Sequence, residues 1–194
     1  MRLSVLLIFL ASIAAGAQTQ AAKVSTKPGS AKPSPLILEK DEGEKRVRRP
    51  RNTPIPAPGF IIKVDRVNGG SRHFYAGAED IPPGGTIPFH RHHGQDEILV
   101  IQTGSAHVWL GDQERDVHAG AMVFIPSESW VSLKNTGNEP IRLAFIFSAP
   151  GFDESMRCSS VAEGAPAPPI SDEDLASCQH KGHAEFRPPA PPHQ

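Results

Sequence analysis

Five of the nine histidines lie between His90 and His118. His90 and His92 stand two apart in Thr86–His92, a stretch that reads as a β-strand. Side chains on a strand alternate between its faces, so both imidazoles point one way and Arg91 and His93 the other. Gly94-Gln95-Asp96 then turns the chain, and Glu97 opens the next apolar run. Two imidazoles on one strand and a carboxylate on its neighbour can converge on a small volume. Neutral nitrogen donors with one hard anionic oxygen are what a divalent metal ion takes. His90, His92 and Glu97 are therefore the candidate metal ligands. Glu97 is also the candidate catalytic acid or base, provided it leaves the metal; a rim histidine is the other source of such help. His93, His107 and His118 are expected at the surface, and Arg91 and Gln95 at the rim. No serine sits in a nucleophile elbow, no cysteine is placed for catalysis, and no glycine-rich loop precedes a helix to cradle phosphate.

Short apolar or β-branched runs must position these groups. They are Phe60–Val67, Arg72–Ala78, Thr86–His92, Glu97–Thr103, Ser105–Leu110, Glu114–His118, Ala121–Ile125, Trp130–Asn135 and Ile141–Ser148. Gly, Asn, Asp and Pro clusters separate them, the pattern of an all-β sandwich or barrel. Gly104 and Gly120 read as turn glycines at positive φ. Trp109, Phe124, Trp130, Phe145 and Phe147 read as barrel packing.

The spacing resembles that of a known family. Gly84, His90-Arg91-His92, Glu97 and Gly104 match every fixed position of the first cupin motif, and Gly120, Pro126 and Asn135 resemble the second. The resemblance covers roughly Phe74 to Phe147. It implies a cupin-like antiparallel jelly-roll barrel with metal ligands inside its mouth, and a small-molecule ligand or substrate. The second motif ordinarily adds a histidine after a Pro-x-Gly turn. Here Val131 takes the histidine slot and Glu128 the glycine slot, so the resemblance implies three ligands only. Either the set still holds a metal and leaves positions open for water, oxygen or substrate, or the metal is lost and the barrel binds an organic ligand. Glu128 swinging in as a replacement is a third arrangement. Fe(II) suits the set; Mn(II), Ni(II), Cu(II) and Zn(II) remain open. A dioxygenase-like reaction ranks slightly above isomerisation or decarboxylation, and a non-catalytic metal- or small-molecule-binding module is the alternative. The resemblance also implies a homodimer.

Export sets the context for the rest of the 194 residues. Met1-Arg2, the apolar run Leu3 to Ala15 and Ala15-Gly16-Ala17 form a signal peptide over 1–17, which predicts a secreted or periplasmic protein without a stable membrane anchor after cleavage. Residues 18–59 read as a disordered linker, its basic cluster Lys45–Arg51 solvated. The barrel is expected at 60–150, and a Pro-rich tail at 151–194 with a short helix from Asp172 to Cys178 capped by Ser171. Cys158 and Cys178 pair as a disulfide in an oxidising compartment, with a soft-metal site of Cys178, His180 and His183 as the rival reading. Lys and Arg number 20 against 21 Asp and Glu, a net charge of −1, which removes the broad positive field of a general nucleic-acid binder.

Overall fold

The structure is a computed structural model that describes residues 32–51 and 59–187. The expected signal peptide, residues 18–31 and 52–58, and the chain beyond 187 lie outside the described residues. Among the described residues no helix is long and apolar enough to cross a membrane.

Nine strands appear where the apolar runs predict them: β2 (Phe60–Val64), β3 (Tyr75–Ile81), β4 (Thr86–His92), β5 (Glu97–Thr103), β6 (Ser105–Leu110), β7 (Gln113–His118), β8 (Met122–Ile125), β9 (Val131–Asn135) and β10 (Ile141–Phe147). β2 stops short of Val67 because Asp65 starts a turn, its Oδ1 accepting from the amides of Val67 and Asn68 at 2.8 and 2.5 Å. β3 begins late for a like reason: the Ser71 hydroxyl accepts from the Phe74 amide at 2.9 Å. Three more strands, β1 (Glu44–Arg48), β11 (Ser160–Ala162) and β12 (Ala184–Phe186), and two helices, α1 (Phe152–Cys158) and α2 (Asp172–Lys181), come from outside the 60–150 stretch.

The strands form two antiparallel sheets, one in the order β11-β1-β2-β3-β10-β5-β8 and one in the order β12-β4-β9-β6-β7. Ile62, Tyr75, Ile81, Ile101, Leu133 and Phe147 are among the side chains buried in the core they enclose. This is the cupin-like jelly roll. At Gly104 φ is 82° and at Gly120 it is 90°, as turn glycines require. Asn135 fastens the β9 exit: its amide donates to the carbonyls of Ile81 and Glu139, both at 2.9 Å.

The expected linker over 18–59 gives way at β1. Arg46 pairs with Ala162 on one side and with Phe60 on the other, so the basic cluster is a sheet strand and not a solvated tether. Its inward residues are charged. Arg46 donates to the Ser160 hydroxyl and carbonyl at 2.6 and 2.9 Å and to Glu44 at 2.8 Å. Arg157 on α1 reaches Glu44 at 2.6 Å, Asp153 at 3.0 Å, and Asp65, which is wholly buried. Burial alone would push the Glu44 carboxyl up; hydrogen bonds from Arg157, Asn68 and Arg46 outweigh it and hold the group below its usual value.

The C-terminal segment is likewise built into the barrel. The Ser171 hydroxyl caps α2 by accepting from the Asp174 amide at 3.0 Å, and the helix runs past Cys178 to Lys181. Cys158 and Cys178 form a disulfide with Cα atoms 5.4 Å apart, which removes Cys178 from the rival soft-metal reading. Closing a loop with a sequence separation of 20 stabilises the fold by about 3 kcal/mol in the chain-entropy account. The crosslink ties α1 to α2, and α2 leads into β12. There Ala184 pairs with His92 and Phe186 with His90, so the tail docks on the strand that carries the histidines.

Candidate metal centre

β4 turns His90 and His92 inward, 6% and 2% exposed, and leaves Arg91 on the outer face. Glu97, 5% exposed, enters from the first position of β5. One donor atom from each of the three lies within 4.8 Å of the others. His92 Nε2 and Glu97 Oε2 are 3.5 Å apart. Donors sharing one ion through bonds of about 2.1 Å stand roughly 3–3.5 Å from each other, so a small inward movement completes the set.

Three buried atoms here have no protein partner among the described residues: Nδ1 and Nε2 of His92, and Oε2 of Glu97. Buried polar atoms are normally satisfied, and one ion would satisfy Glu97 Oε2 and one ring nitrogen of His92, leaving the other ring nitrogen without a partner among the described residues. His90 is held differently. Its Nδ1 donates to the Pro88 carbonyl at 2.8 Å, which leaves Nε2 as a lone-pair donor for an ion. Aromatic rings keep the place dry. Phe186 stacks on His90 at 5.2 Å between centroids, and Phe147 and Phe152 stand edge-on to His92 at 4.8 and 4.5 Å. Burial, with a smaller contribution from His92, pushes the His90 imidazole down to about 4. Burial lowers His92 to about 3, again with a lesser contribution from a neighbouring histidine, His93. Both rings are neutral in the physiological range, the form that ligates. Burial also pushes the Glu97 carboxyl up to about 7, against the pull of His90.

Val131 faces His90 across the β4–β9 pair and is 1% exposed, so the position of the usual fourth ligand offers carbon only. Glu128 does not replace it. Its carboxylate accepts from His93 Nδ1 at 2.8 Å on the exposed side of the barrel. Its φ of 68° is a glycine conformation, in keeping with the slot it fills. Glu128→Gly is therefore expected to leave metal uptake unchanged while relieving about 1 kcal/mol of backbone strain. Metal titration and denaturant melts of the variant check both halves, and a loss of metal would return Glu128 to the ligand set.

His107 and His118 lie outward as expected, bonded to Asp116 at 2.7 Å and Ser105 at 3.0 Å. Arg91 donates to Glu185 and lies over the Trp130 ring. Gln95 departs from the rim expectation. It is 4% exposed, packed under Gly151 where α1 begins. Phe145 and Phe147 are core, but Phe124 is 56% exposed because β8 is the sheet's edge strand and turns Met122 and Phe124 outward.

A cavity of about 330 Å³ opens onto His90 and Glu97. It is also lined by Arg48 and Glu79, which pair at 3.0 Å and which the strand patterns did not single out. An acid at an inward position of β3 was the available signal. A larger groove of about 550 Å³ beside β7 and β8 contains none of the candidate ligands.

Residues 77–147, which span all but the first two residues of β3 through the whole of β10, match the cupin domain family. The match falls on the jelly-roll strands described above and covers less than half of the chain. Among curated proteins the chain is 30% identical over 97 residues to mannose-1-phosphate guanylyltransferase 2 of Escherichia coli O157:H7, covering 49% of this chain and 20% of that enzyme. It is 27% identical over 111 residues to the uncharacterized protein YrkC of Bacillus subtilis strain 168, covering 49% of this chain and 59% of YrkC. The chain thus spans less than two thirds of either relative. Among solved structures, a predicted oxalate decarboxylase from Thermotoga maritima superposes with a TM-score of 0.51 at 19% identity, over 59% of this chain and 100% of that one. That likeness is one of fold.

Proposed function

We propose that this chain is an exported cupin that holds one divalent metal ion on His90, His92 and Glu97 and presents it to a small oxygen-rich molecule in the adjoining cavity. The carrying observation is the convergence within 4.8 Å of one donor atom each from His90, His92 and Glu97, with a ring nitrogen of His92 and Oε2 of Glu97 buried without partners among the described residues. A bound ion of this class supplies Lewis-acid polarisation of a ligand oxygen and, where it is redox-active, electrons for dioxygen chemistry. The chain's own contributions are distinct. Pro88 fixes the His90 tautomer. Phe147, Phe152 and Phe186 exclude water from the imidazoles. Val131 leaves one side without a protein donor, which supports open positions for substrate. Glu97 can hold or release a proton beside the ligand only when it leaves the ion, the state in which burial sets its carboxyl at about 7. The disulfide supports a secreted or periplasmic location.

The function so read is a dioxygenase-like reaction; the alternative is a non-catalytic metal- or small-molecule-binding module, in which Val131 marks the loss of a full ligand set. Protein loaded with Fe²⁺ or Mn²⁺ and screened for oxygen consumption over small carboxylates, enols and phenols separates them. Consumption that disappears in His90→Ala supports the enzyme. Stoichiometric metal with no turnover supports the module. A folded protein that takes up no divalent ion overturns the metal centre and leaves the module in its metal-free, small-molecule-binding form.

Uptake should depend on pH in a stated direction. Because the folded Glu97 carboxyl is raised to about 7, the metal-free fold is favoured by protonation. That contribution is lost as pH rises through 7, where an ion can take the proton's place. The gain in thermal midpoint from saturating Mn²⁺ is expected to grow from pH 6 to pH 8. A gain that is constant or shrinks over that range contradicts the assignment of Glu97.

A further inference from the structure

The cavity beside the candidate ligands has a lining that discriminates among small molecules. Much of it is apolar, including Ile81, Leu99, Leu143, Met156, Ile170 and Leu175. Its charged lining is Arg48, Arg49 and Arg51 against Glu79 and Glu97, and a divalent ion adds to the positive side. Arg49 is committed to the carbonyls of Pro168 and Pro169 at 3.0 and 2.7 Å. Arg48 is held but not used up. Its Nη2 donates to Glu79 at 3.0 Å and its guanidinium lies 4.8 Å from the Phe60 ring centre, while its Nη1 is enclosed without a partner among the described residues. The Arg48 side chain is 25% exposed and lines the cavity, and its enclosed Nη1 is reached by a carboxylate oxygen, the acceptor that matches it, after a small shift of the neighbouring side chains.

Resting on the metal-centre reading above, we infer that the cavity takes a small monocarboxylate with an apolar, ring-sized body, its carboxylate received by Arg48. The body lies along the aliphatic wall toward His90 and Glu97. One carboxylate is placed because, among the described residues, Arg48 is the lining arginine with an enclosed guanidinium nitrogen lacking a partner, and Glu79 already takes part of its charge. An apolar body is favoured over a sugar because sugar hydroxyls would lose water to a wall that offers them few partners. A volume of 330 Å³ is at the small end of the range for ligand cavities. Arg48 belongs to β1, outside residues 77–147, so this selectivity is a property of the N-terminal strand and not of the matched domain.

The test uses the full, disulfide-intact chain, with and without Zn²⁺, titrated calorimetrically with benzoate and phenylacetate and with their neutral amides. At least one acid is expected to bind about tenfold or more tightly than its amide, the advantage of a charge-assisted bond over a neutral one. In Arg48→Gln/Glu79→Gln, which removes both charges together, the preference should fall to near parity with Zn²⁺ content unchanged. Arg48→Lys should keep part of it. Acids and amides binding alike to the unaltered chain, no binding by any of the four, or a preference that survives the double substitution overturns the inference. Zinc binding is read separately. Acid preference without zinc uptake sinks the metal-centre reading and spares Arg48's role, and zinc uptake without acid preference does the reverse.

Discussion

Arg157→Met is expected to cost the protein about 3–5 kcal/mol of stability, the scale for removing one partner from a buried charge network. Arg157 is the cation between Glu44 on β1, Asp65 at the end of β2 and Asp153 on α1. Asp65 is 0% exposed and Asp153 5%, so without the guanidinium two carboxylates are left buried with amide donors alone. The bidentate fork also ties the N-terminal strand to the C-terminal helix, next to Cys158, so the loss should loosen both additions to the barrel together. Arg157→Lys keeps the charge but not the fork and should recover only part of the deficit. Denaturant unfolding at fixed pH measures it. A deficit below about 1 kcal/mol, the scale of an exposed pair, would mean that the network is solvated.

His92→Leu is expected to separate function from stability. Both ring nitrogens of His92 are buried without a partner between the rings of Phe147 and Phe152. Leucine fills much of the same space and needs no partner, so the metal-free variant should equal or exceed the metal-free parent in stability, by up to roughly 1–3 kcal/mol. Its affinity for divalent metal should fall more than about 100-fold, beyond the 10–100-fold that loss of an outer-shell partner costs. Paired melts and metal titrations check this. A variant that is destabilised and still binds metal would make His92 a packing residue.

Much of the architecture was legible in the residues, because barrel strands alternate apolar and polar side chains with period two. β4, β5 and β6 fall on the predicted boundaries, and the face assignment of His90 and His92 against Arg91 follows from alternation alone. β1 was illegible for a physical reason. Glu44, Arg46 and Arg48 alternate inward as charges, paired with Arg157, Ser160 and Glu79, so apolar periodicity alone shows a solvated cluster. The three ligands could be read from spacing, since a strand, a turn and a strand carry them. Their surroundings could not. Phe152 and Phe186 reach the imidazoles from the C-terminal segment through tertiary docking, and Arg48 and Glu79 meet only because β1 joins the sheet. Gln95 was misplaced because α1 covers its turn, and Phe124 because β8 ends a sheet.

The central claim is that three side chains aim at one ion. Crystals grown with Zn²⁺ and measured at the zinc edge test it most directly. One strong anomalous peak is expected about 2.0–2.2 Å from His90 Nε2, a ring nitrogen of His92 and a carboxylate oxygen of Glu97. A map with no density among them, while the three side chains keep the places described, would contradict it.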